Sequence, residues 1–95
     1  MSLTLCVLLW PHEGSADALI AYEDRVLEVA GAYGARVLQR ARTDGSYRAP
    51  LEIQLLEFPS EEALDGYMRD ERRTALADDR DRAIARTEVM RVDLV

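Results

Sequence analysis

Apolar and polar positions along the 95-residue chain fall into blocks of different period. Leu3 to Trp10 is apolar at nearly every position and is ended by Pro11. A run this short, without polar alternation, predicts a strand buried on both faces. Pro11, Gly14 and Ser15 then break the chain. Ser15 is placed to cap a helix, with Asp17 in a first turn where negative charge suits the helix dipole. Leu19, Tyr22, Val26, Val29 or Ala30, and Tyr33 follow at helical spacing, which leaves Glu23, Asp24, Arg25 and Glu28 for the outer face. Gly31 and Gly34 end this helix, Gly34 as its C-terminal stop.

Arg36 to Arg42 alternates, with Val37, Gln39 and Ala41 on one side and Arg36, Leu38, Arg40 and Arg42 on the other. That is the pattern of a half-exposed strand. Asp44-Gly45 is a hairpin signal. A further strand runs from Leu51 to Phe58, between Pro50 and Pro59. Ser60-Glu61-Glu62 is a second helix start. Its apolar stripe begins with Leu64, Tyr67 and Met68 but fails near Glu71-Arg72, predicting a break around residue 70 and a second helical piece. Val89 to Val95 closes the chain as a strand, with Met90, Val92 and Leu94 on one face.

The order β-α-β-β-α-β predicts an α+β, ferredoxin-like fold: a four-stranded antiparallel sheet with both helices on one face. The first and third strands are expected at its centre, side by side and parallel. The other face is left bare. If Leu51, Ile53 and Leu55 face the helices, the bare face carries Cys6, Leu8, Trp10, Leu56 and Phe58. At roughly 25 cal/mol per Å2, leaving several hundred Å2 of apolar surface in water costs several kcal/mol. A second copy laid face to face removes that cost by two-fold symmetry. The expected assembly is therefore a homodimer with those five residues at its interface, closing into an α/β barrel.

Composition narrows the chemistry. The length fits one domain, residues 1–95. The formal net charge is −6 and all 12 basic residues are arginine. This is not the footprint of a nucleic-acid-binding protein, and chemistry that needs a lysine Schiff base or a P-loop lysine is excluded. Cys6 is the only cysteine, so no internal disulfide can form, and it reads as a small buried hydrophobe. The eight-residue apolar opening falls well short of the ~20 residues of a membrane span, and no signal-peptide cleavage pattern follows it. A cytoplasmic location and no membrane partner are expected. One His, one Cys and no Cys-x-x-Cys or His-x-x-x-His spacing point to no metal site, and no cofactor is expected.

Several segments resemble the dimeric α/β-barrel superfamily, nearest to its DUF1330 group and to its antibiotic-biosynthesis-monooxygenase-like and EthD-like members. They are Leu9-Trp10-Pro11, Ala21 to Leu27, Leu56 to Ala63, and Arg80 to Thr87. The likeness spans most of the chain. It implies the same fold and dimer, and a small-molecule pocket in each subunit. Superfamily members include cofactor-independent monooxygenases, haem enzymes, isomerases, cyclases and many proteins without assigned function. The resemblance therefore implies either a cofactor-independent monooxygenase, isomerase or cyclase acting on an aromatic or polyketide-like compound, or a non-enzymatic ligand-binding or stress-response module.

The candidate catalytic pair is His12, the only histidine, with Glu57. Parallel central strands would bring the loop after Trp10 beside Glu57 and Phe58, where a carboxylate could orient the imidazole as a general base. His12 otherwise reads as a surface-loop residue, and Glu57 as a solvent-edge group or the partner of an arginine. Trp10, Tyr22, Tyr67 and Phe58 are the candidate ligand-binding residues, as apolar bodies with polar handles on three of the four. Tyr22, Tyr33 and Tyr67 otherwise read as core. The row Arg36, Arg40 and Arg42 could hold an anion or pair across strands with Glu52.

Overall fold

The computed structural model describes residues 2–95. Strand β1 is Leu3–Pro11, helix α1 Ala16–Gly31, strand β2 Arg36–Arg42 and strand β3 Glu52–Phe58. Helices α2 (Glu61–Arg69), α3 (Glu71–Thr74) and α4 (Ala77–Ala83) lead into strand β4, Ile84–Val92. The four strands form one sheet of order β2-β3-β1-β4, and every neighbouring pair is antiparallel. This is the ferredoxin-like βαββαβ fold expected from the pattern.

The central pairing differs from expectation. The crossover through α1 brings β2 back in the direction of β1, and the β2–β3 hairpin then reverses β3. Strand β3 must therefore run against β1, and Leu3 pairs with Phe58 while Leu9 pairs with Glu52.

That register also inverts the expected faces of β3. Glu52, Gln54, Leu56 and Phe58 are buried toward the helices, on the same side as Leu5, Val7 and Leu9. Ile53 and Leu55 pair with Leu8 and Cys6 on the bare face. Phe58 is 0% exposed and Leu56 is buried in the same core, so neither belongs to the bare face. Cys6, Leu8 and Trp10 do, joined by Ile53, Leu55 and Met90.

Helix α1 lays Leu19, Tyr22, Val26, Val29 and Ala30 on the sheet. Glu23 lies in the same stripe and is buried, not on the outer face. Ser15 precedes α1, but its side chain accepts no capping bond. Ser60 does cap α2, accepting from the Ala63 amide at 3.0 Å. The helical break falls at Asp70, whose carboxylate accepts from the Arg72 amide and starts α3.

Helix α1 ends at Gly31, and Gly34 takes a φ of +80° in the turn beyond it. A Cβ at Gly34 would come 3.2 Å from the Pro59 ring, so glycine serves both conformation and fit. Gly66 is needed for space: a Cβ there would lie 2.6 Å from the Tyr33 ring. The β2–β3 connection is longer than a two-residue hairpin and includes a 3-10 turn at Ser46–Arg48. Strand β4 begins five residues earlier than Val89, because Ile84 follows directly on buried Ala83 and enters the core.

Candidate functional site

The fold leaves a cavity of about 440 Å3 between sheet and helices. Its floor is the helix-facing set of β1 and β3, including Leu5, Val7, Leu56 and Phe58. Tyr22, Glu23 and Val26 of α1 form one wall, and Tyr67 and Met68 of α2 another. Gln54, Asp65, Arg73, Arg80, Thr87 and Arg91 add polar groups to the lining. Met68 and Val89 line it and are exposed, which marks the mouth. Arg91 of β4 and Glu61 of α2 form an ion pair through two nitrogens, tying the two elements together at the rim.

Glu23 is the most unusual group in this cavity. It is 5% exposed, and its carboxylate accepts one hydrogen bond, from Gln54 Nε2 at 2.8 Å. Burial raises its pKa above the ordinary value, and the Gln54 bond opposes that rise. The same Gln54 nitrogen donates to Glu52 Oε2 at 2.6 Å. Glu52 is 0% exposed and is held by both neighbours on β2. Arg40 reaches it with Nε at 3.0 Å and Nη2 at 3.1 Å, and Arg42 with Nε at 2.9 Å. Arg40 also donates to Asp24 at 2.8 Å. A polar chain thus runs from the edge strand through the buried layer to the cavity wall, and it leaves Glu52 fully compensated and Glu23 only partly so.

The tyrosines Tyr22 and Tyr67 keep their hydroxyls protonated. Burial raises the pKa of both Tyr22 and Tyr67, while nearby Arg73 pulls each back down. Arg73 stands over the Tyr67 ring at 5.1 Å, and Tyr67 packs on Phe58 with ring centroids 5.5 Å apart. Tyr33 is directed elsewhere: its hydroxyl donates to Asp70 at 2.7 Å. Arg72 and that hydroxyl hold the Asp70 carboxyl well below the usual range.

The structure separates His12 from Glu57. Antiparallel pairing puts His12 beyond the Leu9–Glu52 end of the sheet, while Glu57 faces Thr4 at the other end. The spacing of strand residues makes this a distance of roughly 20 Å. His12 is exposed, and its Nε2 lies 3.0 Å from the Asp81 carbonyl oxygen. That oxygen can only accept, so Nε2 carries the proton. Glu57 is on the bare face and sits 3.7 Å from Arg36. Neither reaches the cavity.

Of the candidate ligand-binding residues, Tyr22, Tyr67 and Phe58 line the cavity together, and Trp10 does not. Trp10 lies on the opposite face, donating to the Arg48 carbonyl at 2.9 Å, with the Arg86 guanidinium 4.6 Å above its ring. Glu23, Gln54, Arg73 and Arg80 were not anticipated. A signal existed for two of them: Glu52 and Gln54 alternate with apolar residues in a central strand, and Glu23 sits one turn from Leu19 within the apolar stripe. Among the described residues, no group of three or more His, Cys, Asp or Glu side chains could hold a metal ion, and no helix is long and apolar enough to cross a membrane.

No family model matches the chain, and no curated protein does. Solved structures share its fold at low sequence identity. A Rhodopseudomonas palustris protein of unknown function, RPA0582, superposes with a TM-score of 0.78 at 17% identity, covering 99% of this chain and 82% of that one. A putative antibiotic biosynthesis monooxygenase from Bacteriodes thetaiotaomicron VPI-5482 gives 0.78 at 11% identity, covering 99% and 90%. A dabb family protein with a ferredoxin-like fold from Mesorhizobium loti MAFF303099 gives 0.71 at 12%, covering 99% and 97%. The chain therefore has the ferredoxin-like fold of these proteins, some without known function and one named for monooxygenation.

Proposed function

We propose that the chain binds a small, largely apolar compound between sheet and helices and moves a proton on it with Glu23. The reaction class is that of a cofactor-independent isomerase or cyclase, and the substrate an aromatic or polyketide-like carbon acid. One observation carries this reading: a carboxyl group with a single hydrogen-bond donor, buried in the wall of a cavity with an apolar floor. Burial raises its proton affinity above that of an ordinary carboxylate, the direction that suits a general acid–base group. Leu5, Val7, Leu56 and Phe58 offer a flat apolar floor, and the neutral Tyr22 and Tyr67 hydroxyls can polarise a carbonyl oxygen. The finer kinship with the DUF1330 group rests on the likeness in residues 9–11, 21–27, 56–63 and 80–87.

Solvent deuterium exchange into an aromatic 1,3-diketone, followed by proton NMR, tests the reading. Wild-type protein should accelerate exchange, and Glu23→Gln should lower that rate by about 10²–10⁴-fold while leaving the dissociation constant nearly unchanged. Oxygen uptake coupled to loss of the diketone would shift the chemistry to the monooxygenase class. Binding without exchange would leave only the ligand-holding module, and absence of binding would overturn the pocket reading.

We further propose that the working unit is a homodimer in the cytoplasm. The Cα extents of 38 × 35 × 15 Å describe a two-layer slab, and its bare side carries Cys6, Leu8, Trp10, Ile53, Leu55 and Met90, the last 43% exposed. The sheet face is roughly 20 by 25 Å from strand spacing and rise. With side-chain relief, that is of the order of the ~800 Å2 per partner of a stable interface. The self-complementary occupant is a second copy in two-fold symmetry. Light scattering at micromolar concentration should give twice 10.7 kDa, and Leu8→Glu should halve the mass. A monomeric wild type would sink the dimer.

A further inference from the structure

The arginines divide into two groups. Most sit in ion pairs, and among the described residues Arg48, Arg69, Arg73 and Arg80 do not. Arg48 and Arg69 are exposed, where water serves them. Arg73 and Arg80 are partly buried, and both line the cavity. In a chain of net charge −6, two half-buried guanidiniums without a carboxylate are conspicuous, because desolvating a cation is costly unless something repays it.

Most surrounding carboxylates are otherwise engaged, and Asp65, which also lines the cavity, is exposed to water. Glu23 faces Gln54, Asp70 is taken by Arg72 and Tyr33, and Asp79 by Arg25 and Arg82. Arg73 gives one Nη1 hydrogen bond to the Met68 carbonyl at 3.3 Å, and its buried Nε has no acceptor. Thr87 Oγ1, also part of the cavity lining, is likewise buried without a partner. Both arginines line the same cavity as Tyr22, and each opposes the burial-driven rise in its pKa. The cavity therefore has an apolar floor, carboxylates at Glu23 and Asp65, and donors at Arg73, Arg80 and Thr87, with neither arginine in an ion pair.

We infer that the ligand of this cavity is an organic acid: a flat aromatic or unsaturated body whose carboxylate lies against the guanidiniums of Arg73 and Arg80. A guanidinium presents paired N–H groups that match the two oxygens of a carboxylate. The apolar body then rests on Val7, Leu56 and Phe58, with its reactive carbon toward Glu23. This inference rests on the pocket reading above and adds the charge and polarity of what enters.

The test compares trans-cinnamate with its neutral isostere cinnamamide by calorimetric titration and by NMR of the cavity methyl groups. Cinnamate should bind about tenfold or more tightly than the amide. Arg73→Gln and Arg80→Gln should each bring that ratio down to within about threefold, with the affinity for the amide unchanged. Circular dichroism establishes that each variant is folded, and either one alone suffices. An amide that binds wild type as well as the acid does, or an acid preference that survives both substitutions, overturns the inference and leaves the pocket standing. If neither compound shifts the methyl signals of Val7 and Leu56, the inference and the pocket reading fall together.

Discussion

Replacing Glu23 by Gln keeps the shape of the side chain and removes its charge, so the variant weighs what that charge costs the fold. Glu23 is 5% exposed and has one side-chain donor, Gln54, at 2.8 Å. Burial raises its pKa above the ordinary value and the Gln54 bond only partly offsets this, so the folded state binds the proton more tightly than the unfolded chain does. The stability linked to that proton is complete below the unfolded pKa, near 4.5. It is lost as pH rises through the higher folded value. Above that value the fold carries a desolvated anion, at about 1.4 kcal/mol for each tenfold difference in proton affinity. The amide has no proton to lose. The stability of Glu23→Gln relative to wild type should therefore rise by about 1 kcal/mol or more between pH 4 and pH 8. Urea unfolding followed by the fluorescence of Trp10, the only tryptophan, reads this at half-unit steps of pH. A constant offset, from the new amide's own hydrogen bonds, would leave the slope intact. Titrating groups remote from Glu23 are common to both proteins and cancel. A variant whose advantage shrinks as pH rises would refute the reasoning, because it would mean the anion stabilises the fold.

Gln54→Leu should destabilise the protein by about 2–4 kcal/mol at pH 7, because it strips a donor from both Glu23 and Glu52; the loss measured by urea unfolding should lessen toward pH 4, where Glu23 is protonated. Phe58→Ala should cost about 3–5 kcal/mol, since the ring is 0% exposed and packs on Tyr67. Leu55→Ala should leave more of the fold intact in a monomeric background, because Leu55 lies half-buried on the bare face. Equal losses at the two positions would mean that the faces of β3 are wrongly assigned.

Much of the fold is legible in the sequence because each element carries its own period or stop. The apolar block before Pro11, the stripe from Leu19 to Ala30, the turn at Gly34 and the failure of the stripe at Glu71 all have local causes, and the structure repeats them. What escaped is long-range. In β1 both alternating sets are apolar, so nothing in that strand says which one meets the helices. In β3 the more apolar-looking set, Leu51, Ile53 and Leu55, suggests itself for the core, whereas Glu52 and Gln54 hold the inner positions. They are tolerated there only because Arg40 and Arg42, from a strand ten or more residues away in sequence, reach in to neutralise Glu52. The pairing of His12 with Glu57 failed for a topological reason: direction is set by counting crossovers and hairpins, and the count makes β1 and β3 antiparallel. Glu23 was hidden by its own polarity, since a carboxylate inside an apolar stripe is assigned to solvent unless its partner is known.

The inverted polarity of β3 links the two proposals. A two-layer protein working alone would gain most by turning Ile53 and Leu55 toward its helices and leaving Glu52 and Gln54 in water. This sheet does the reverse: it presents Cys6, Leu8, Ile53 and Leu55 outward and spends buried positions on a carboxylate–amide–carboxylate chain. The outward apolar set is stabilising only if another surface covers it, which favours the face-to-face dimer. The inward polar set is a net cost to packing alone, because a buried charge network rarely outperforms a well-packed apolar one. It becomes useful where one end of the chain, Glu23, must stay ionisable in a cavity that also holds two arginines outside any ion pair. The same register that exposes one apolar face to the proposed second copy thus turns the polar face toward the proposed ligand. Sliding β3 by one residue would bury Ile53 and Leu55 and lose both the interface and the site.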